Sequence, residues 1–295
     1  IYTINYKVKI EDYKGKAKIV IEDRLPAEID ESKSNILEGK YNKENKTITW
    51  EETIENINTY ANGVYEKEIT EPIKKINITT KASDIQIEDN NTDKISIKYY
   101  GEKDDKNLSV ATDNETLNIN EDGDYFCIGF CNHAEQKLVL SIPKDIDYEL
   151  NLQTASGDVY VPDINLNNLN IRTISGDIGM VNALKAKLET TSGDIDVNNV
   201  NDLTVKTVSG EVNVNQIKRS CEIKTTSGDV EIELLEITNN SKISTVSGDV
   251  EINSNAGSYV KTETISGEVE ISNNDRYAKT ELSVNTTSGD IEVGK

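Results

Sequence analysis

Hydrophobic and polar residues alternate along most of the C-terminal half of this chain, and the alternation centres on one recurring octapeptide. Eight copies occur: TASGDVYV, TISGDIGM, TTSGDIDV, TVSGEVNV, TTSGDVEI, TVSGDVEI, TISGEVEI and TTSGDIEV. Aliphatic residues also alternate before each Thr. Because a period of two residues is typical of a half-buried strand, each unit is predicted to be a strand, a Ser-Gly corner, a second strand and a polar loop. The repeated serines are Ser156, Ser175, Ser192, Ser209, Ser227, Ser247, Ser266 and Ser288.

The spacing of these serines predicts a stacked repeat structure. Two architectures fit the alternation: a meander or barrel of hairpins, and a β-solenoid in which Ser-Gly marks a corner of each coil. A fixed period in this range is the signature of a solenoid. Only stacking explains why Thr, Ser and Gly are the same in every unit, because hydroxyl ladders and close-packed corners must match the coils about 4.8 Å above and below. The repeat therefore favours the solenoid.

The upstream part of the chain divides into two regions. Residues 72–150 contain less regular strands, and the segment INITTKASDIQI at 76–87 keeps Ser83 and Asp84 but lacks the Gly. Residues 1–71 alternate like the strands of a small β-sandwich-like module, with Pro72 at the boundary, since proline cannot donate to a sheet. We therefore predict two domains, 1–71 and 72–295. Two roles fit Trp50: it is a residue of the sandwich core, or it is a platform on which a sugar ring stacks.

Composition narrows the classes of function. The chain has 295 residues and a formal net charge of -21, which argues against binding to nucleic acid or to an anionic membrane. No apolar run approaches the roughly 20 residues of a membrane-spanning helix. The first residues, IYTINYKV, resemble a strand rather than a signal peptide. We therefore expect any anchor or signal to lie outside these residues.

Two clusters could carry chemistry. Cys127, Cys131 and His133 have ligand types that suit zinc, but no fourth ligand is evident, and a disulfide between the two cysteines or buried inert thiols are the alternatives. The second cluster is the acid two residues after each repeated Ser. If the coils stack, these acids form a file of like charges that repel one another. A divalent cation that bridges adjacent coils would offset this repulsion, and hydrogen bonds from corner amides to the carboxylates would also offset it. The acidic file consists of Asp158, Asp177, Asp194, Glu211, Asp229, Asp249, Glu268 and Asp290.

These motifs carry a family resemblance. The SGD-aliphatic-x-aliphatic repeat, together with INITTKASDIQIED, LNINED and LVLSIPKDIDYELNLQTASGDV, resembles the bacterial putative-adhesin β-strand-repeat family, a domain of unknown function. The resemblance covers about residues 72–295. It implies an all-β fold, a right-handed single-stranded β-helix, in envelope-associated proteins, and it brings no catalytic residues. Residues 1–70 resemble the small β-sandwich repeats of Gram-positive surface proteins through Ile21–Pro26 and Gly39–Trp50.

The functional expectation is a non-enzymatic module. A catalytic site would interrupt the repeat, and the repeats are nearly unbroken, so we expect no catalytic, cofactor-binding or metal-binding residues. We expect an extracellular, cell-envelope-associated protein that acts as an adhesin or as an interaction or structural module, with a protein or glycan ligand at the cell surface. The alternative is a carbohydrate-binding or carbohydrate-degrading β-helix, which exposed aromatic residues clustered on one wall would favour.

Overall fold

The computed structural model describes residues 16–24, 40–42, 47–55, 63–101, 108–121, 136–272 and 274–294. The chain forms two compact units, Ile1–Thr59 and Tyr60–Lys295. Every regular element among the described residues is a β-strand. The division falls before residue 63, because the strand that starts there pairs within the second unit.

The first unit contains one antiparallel sheet of three strands. These are β1 (Lys16–Arg24), β2 (Lys40–Asn42) and β3 (Thr47–Glu55), in the order β1-β3-β2. Trp50 lies in β3, and its backbone is opposite Ile21 of β1. The sandwich-like module and the role of Trp50 stay predictions, since the side chains of these strands are outside the described residues.

The second unit is built from twenty strands that pair into one continuous sheet. They are β4 (Gly63–Ile69), β5 (Lys75–Thr79), β6 (Asp84–Asn90), β7 (Ile95–Gly101), β8 (Leu108–Asp113), β9 (Thr116–Glu121), β10 (Lys137–Pro143), β11 (Tyr148–Gln153), β12 (Val159–Val161), β13 (Leu166–Arg172), β14 (Ile178–Glu189), β15 (Ile195–Lys206), β16 (Val212–Lys224), β17 (Val230–Leu235), β18 (Ser241–Ser244), β19 (Val250–Asn255), β20 (Ser258–Glu263), β21 (Val269–Ile271), β22 (Thr280–Asn285) and β23 (Ile291–Val293).

Successive repeats pair in parallel and in register. Ile178 of β14 lies opposite Ile195 of β15, which in turn lies opposite Val212 of β16, and Val230 of β17 follows. A meander would place neighbouring repeats antiparallel, so the hairpin alternative is wrong and the repeat region is a solenoid-like stack. Each coil runs from one Ser-Gly corner to the next, with a strand before the corner and a strand after it.

The core is a set of columns, one side chain from each coil. The residues three and five positions after the repeated Ser point inward, as do those four and six positions before it. Burying one such aliphatic side chain stabilises the fold by about 1.5–3 kcal/mol. A single coil has no second layer to cover these side chains, so the core exists only where coils stack. The column three positions after Ser contains Val159, Ile178, Ile195, Val212, Val230, Val250 and Ile291, all buried.

The order of coils in the stack differs from their order in the chain at the C-terminal end. Strands β22 and β23, the last in sequence, lie between the coil of β18 and β19 and the coil of β20 and β21. The coil of Ser288 therefore sits on that of Ser247, and the coil of Ser266 ends the stack. Coils that follow each other in the sequence therefore do not always stack directly on each other.

The N-terminal end of the stack is also out of chain order. The coil of β5 and β6 lies between the coil of β11 and β12 and the outermost parallel coil, formed by β9 and β10. Antiparallel strands then cover this end: β8 pairs with β9, β7 pairs with β10, and β4 pairs with β7. At each end, therefore, one coil is inserted between two coils that follow each other directly in the sequence.

A buried hydrogen-bond cluster joins the two outer coils at this end. The Glu121 carboxylate accepts bonds from the Ser83 hydroxyl at 3.0 Å, the Tyr99 hydroxyl at 2.9 Å and the Lys81 amide at 2.9 Å. Since a buried carboxylate is tolerated only when its oxygens are satisfied, the three donors explain how Glu121 is accommodated. The cluster has a structural role.

The stacking order can be tested with equivalent residues of the last two coils. Ile291→Ala is expected to lower the free energy of unfolding by about 2–4 kcal/mol, because Ile291 is 1% exposed between two coils. Val269→Ala, in the same column, is expected to cost less than about 1 kcal/mol, because Val269 is 42% exposed. Chemical denaturation of both variants measures the difference. A larger loss for Val269→Ala than for Ile291→Ala would mean that the coils follow the order of the chain.

Candidate functional site

The threonine two residues before each Ser closes the corner. Its hydroxyl oxygen accepts a hydrogen bond from the amide of the Gly three residues later, at 2.9–3.1 Å in seven of the repeats. In some coils the same hydroxyl also lies 3.4–3.5 Å from the Gly carbonyl of the adjacent coil, as for Thr245 and Gly228. The predicted ladder of hydroxyl groups is therefore wrong: each hydroxyl bonds to backbone, because the corner leaves an amide that needs an acceptor.

The glycine of the corner is required by the next coil rather than by its own backbone angles. A Cβ atom on Gly210 would lie 1.8 Å from the carbonyl oxygen of Gly193, and one on Gly228 would lie 1.9 Å from that of Gly210. Backbone of one coil thus touches backbone of the next, and no side chain fits between them. Ser83 occupies the equivalent position in the β5–β6 coil, because the coil beneath it offers the Glu121 carboxylate in place of a glycine carbonyl.

The acidic file forms a ladder of hydrogen bonds between coils. Oδ1 of Asp158 accepts the amide of Asp177 at 2.8 Å, and Oδ1 of Asp177 accepts the amide of Asp194 at 2.9 Å. The same bond joins Asp249 to Asp290, and Asp290 to Glu268. Neighbouring charges about 4.8 Å apart repel by roughly 1 kcal/mol in water-like surroundings, and each charge-assisted bond offsets that term. The aspartate carboxylates are therefore hydrogen-bonded to corner amides, as the second of the two sequence interpretations predicted.

The two glutamates of the file lie where the ladder is interrupted or ends. Glu268 belongs to the last coil of the stack, so its carboxylate has no further coil to bond. Glu211 is internal, and among the described residues no bond joins its carboxylate to the amide of Asp229. The extra methylene of Glu moves the carboxylate away from the position that an Asp oxygen occupies. The described residues contain no group of three or more His, Cys, Asp or Glu side chains placed to hold a metal ion.

The wall that follows each corner carries acidic and neutral side chains and, within the eight repeats, no basic ones. A second acidic column lies two residues beyond the file, and in the C-terminal coils it consists of Glu231, Glu251, Glu292 and Glu270. The segments that form this wall, from each Gly to five residues after it, contain no Lys or Arg. This second column was missed at the sequence level, although its signal is present in the alternation of acid and aliphatic residues. The wall presents a regular array of carboxylates to solvent.

The wall that precedes each corner has a mixed character. Asn77, Asn151 and Asn170 stack in a ladder of side-chain amide bonds of 2.9 Å. Further along, Lys and Glu side chains replace the amides. Asp202 forms an ion pair with Arg219 and accepts the Ser220 hydroxyl at 2.7 Å. The Arg219 hydrogen bond is the main reason that the pKa of Asp202 lies below its ordinary value. The two walls of the solenoid therefore differ in charge.

A shallow groove lies on the acidic wall beside an exposed aromatic ring. Tyr160 is 49% exposed and packs over Gly179, and the groove continues past Asp196, Asn213 and Glu231. The other strongly exposed tyrosines of the described residues are Tyr259 and Tyr277, which belong to the last coil and the loop after it. The exposed tyrosines thus do not form one cluster on a single wall.

The cysteine predictions have separate outcomes. Cys127, Cys131 and His133 lie outside the described residues, so the zinc, disulfide and free-thiol interpretations stay predictions. Cys221 is buried in a core column, and burial raises its pKa to about 12. Because the thiolate is the reactive form of cysteine, Cys221 is an inert core residue.

The glycine contact generates a prediction with an internal control. Gly210→Ala is expected to destabilise the protein by more than about 3 kcal/mol, because the new methyl group overlaps a backbone carbonyl that cannot move without shifting a coil. Gly179→Ala is the matched control: its Cβ would lie 3.2 Å from the Tyr160 ring, which can rotate away. Thermal unfolding of both variants compares them. Equal melting temperatures would show that the corners are not in backbone contact.

The acidic ladder makes a second prediction. Asp177→Asn keeps an oxygen that accepts the Asp194 amide and removes one charge from the file, so its stability is expected to be equal to or above that of the parent. Asp177→Ala removes the acceptor and is expected to cost about 1 kcal/mol. Urea denaturation at low and high salt separates the two effects. The interpretation fails if both variants lose the same stability, since the charge would then matter more than the hydrogen bond.

Comparison with known proteins identifies similar structures and the family to which the chain belongs. Among solved structures, a protein described as a putative adhesin from Bacteroides fragilis is similar with a TM-score of 0.50 and 14% identity, over 80% of this chain and 98% of that one. A putative adhesin from Parabacteroides merdae has a TM-score of 0.49 and 15% identity, over 79% and 98% of the two chains. A putative lipid binding protein from Parabacteroides distasonis has a TM-score of 0.38 and 12% identity, over 79% and 98%.

The similarity to the Bacteroides fragilis protein is a similarity of fold. A search of curated proteins finds no significant match. None of the described residues forms a helix with the length and apolar character needed to cross a membrane. The sequence profile of the Toastrack family DUF4097 matches residues 73–294, which is most of the chain and includes every copy of the repeat. The chain therefore belongs to the Toastrack DUF4097 family.

Proposed function

We propose that this chain is a non-enzymatic interaction module of the bacterial cell envelope, which binds a protein or glycan partner through the walls of its solenoid. The observation that carries the proposal is the acidic file, which places one carboxylate in every repeat at the spacing of the coils. A surface of this kind offers many weak, equivalent contacts to an extended or multivalent partner. The description of the similar Bacteroides fragilis protein as a putative adhesin supports the same class of function.

The non-enzymatic part of the proposal rests on how the reactive side chains are used. The cluster that most resembles a catalytic group, Ser83 with Glu121 and Tyr99, is buried, and its bonds link two coils. The six aspartates of the file accept hydrogen bonds from backbone amides, and an acid recurs in every repeat. Catalysis requires a unique arrangement of groups around a reacting atom, whereas a periodic wall presents the same groups in each coil.

The proposal is tested by binding with two variants of equal net charge. Asp196→Asn with Glu231→Gln neutralises two positions on the acidic wall, and Glu149→Gln with Glu222→Gln neutralises two on the opposite wall. Arrays of bacterial and host surface proteins and of glycans are probed with the full chain. We expect binding that falls at least fivefold for the first variant only, with the bound partner chemically unchanged. Turnover of a bound glycan or protein, or equal loss in both variants, would contradict the proposal.

The envelope location has its own measurement. In cells that express the complete gene, the chain is expected to be cleaved by protease added to intact cells, because an interaction module of the envelope must reach its partner. A cytoplasmic protein of the same cells serves as the control for lysis. Protection from protease in intact cells together with recovery in the cytoplasmic fraction would contradict the location.

The groove beside Tyr160 favours carbohydrate binding as the second candidate. An exposed aromatic ring offers a flat apolar surface, and Asp196 and Asn213 supply hydrogen-bonding groups along the same groove. Under this alternative, Tyr160→Ala abolishes binding on the glycan array while Tyr259→Ala, which also removes an exposed ring, leaves it intact. Equal glycan binding by the parent and Tyr160→Ala would exclude the groove.

A further inference from the structure

The two ends of the stack differ in whether further strands cover the last parallel coil. At the N-terminal end, antiparallel strands β8, β7 and β4 cover the outermost parallel coil, and β4 itself carries Glu66, Lys67 and Glu68. At the other end, the coil of β20 and β21 is the last, and among the described residues no strand pairs with its outer edge. An uncovered edge is a template for another strand, and proteins usually protect such edges with charge, proline or a covering segment.

One half of this last coil is protected and the other half is not. The Asn274 side chain covers β20: its Oδ1 accepts the Val260 amide at 3.0 Å and its Nδ2 donates to the Val260 carbonyl at 3.1 Å. This amide reproduces the two bonds of a paired strand. No such group covers β21 among the described residues. We call the outer side of Thr264–Ile271 the open edge.

The open edge has the hydrogen-bonding groups that interior coils use for stacking. In the coil below, the Thr286 amide donates to the Glu263 carbonyl and the Ile291 amide donates to the Glu268 carbonyl, both at 2.9 Å. The same two amides in the last coil belong to Thr264 and Val269, and they have no acceptor among the described residues. Unpaired backbone donors at the edge of an apolar strand favour the addition of a strand.

Apolar surface is exposed at the same place. Val269 is 42% exposed, whereas Val250 and Ile291 in the same column are each 1% exposed. Ile265 of the same coil is 84% exposed. One further strand on the open edge would bury Val269 to the level of its column.

Charge determines which strand fits. Glu263, Glu268 and Glu270 are exposed at the open edge. A second copy that paired end to end through the same edge would oppose like carboxylates. Like charges directly opposite each other destabilise a strand pair. A strand with Lys or Arg at its outward positions instead gains favourable contacts.

We propose that the open edge binds an extended segment of a partner protein, which adds a strand to the solenoid. The segment has aliphatic residues at inward positions and Lys or Arg at alternate outward positions, over Glu268 and Glu270. This inference names a partner class for the interaction module proposed above, and it rests on that proposal only for its biological role. The binding itself follows from the edge, the apolar exposure and the charge.

The probe is a pair of labelled peptides in the register of the repeat. The peptide TTSGKVKV places Lys over Glu268 and Glu270, and TTSGEVEV differs only in charge. With the full chain, fluorescence anisotropy is expected to give at least tenfold tighter binding of the lysine peptide, weakened by salt. Hydrogen exchange is expected to slow at residues 264–271 and to stay unchanged at 227–232, since strand addition protects the amides of the edge.

Two variants and one control test the site. Glu268→Lys with Glu270→Lys is expected to reverse the peptide preference, and Glu231→Lys with Glu233→Lys, the same charge change on an interior coil, is expected to keep it. Val269→Pro removes the outward amide at an edge position where proline is tolerated, and is expected to abolish binding with the fold retained by circular dichroism. Should Val269→Pro fail to fold, the charge-reversal pair still decides the question.

The inference is overturned by equal binding of the two peptides, by protection outside residues 264–271, or by loss of the preference in the interior control. These results are independent of the function proposed above. If the peptide binds at the open edge but the protein is absent from the cell envelope, this inference stands and the proposed function is wrong. If the protein is at the cell surface but the peptide does not bind, the proposed function stands and this inference is wrong.

Discussion

Contact between the backbones of adjacent coils at the Gly corner is the constraint on which the rest of the second unit depends. The carbonyl oxygen of one glycine occupies the space that a Cβ atom of the next would need. This contact sets the register of the coils that have a Gly corner, because a slip by one residue would bring a side chain into the same space. In seven of the eight repeats the Thr hydroxyl then accepts a hydrogen bond from the amide of this Gly, so the closest contact in the stack gives that buried donor an acceptor.

Fixed register turns a linear repeat into columns, and the columns produce both the core and the charged wall. Inward positions gather Val and Ile into a continuous interior, and the outward positions gather acids into files. A file of like charges opposes stacking, but each Asp accepts the amide of the coil beside it, so one side chain contributes repulsion and a hydrogen bond together. The position tolerates Glu at the stack end, where no following coil needs the acceptor.

Much of this architecture could be predicted from the sequence, since alternation, period and invariant corner residues are local signals. The inward columns, the corner and the amide interpretation of the acids all followed from the pattern. The order of the coils could not be predicted, because the repeats of Ser247, Ser266 and Ser288 have nearly the same residues and each can stack on either of the others. The hydrophobic pattern specifies which face of each strand is buried, but it does not specify which coil stacks next to it. The open edge and its difference from the covered end depend on that order.

The order of coils also determines where the solenoid opens most readily. In a stack, stability is close to a sum of interfaces between neighbours, so a coil held on both sides opens at a higher free energy than one held on a single side. The coil of Ser288 has two neighbours although it is last in sequence, and the coil of Ser266 has one. Regions of low local stability are where proteins place binding segments. The insertion of the final coil therefore secures the C-terminal strands and leaves the coil of β20 and β21 with a single neighbour.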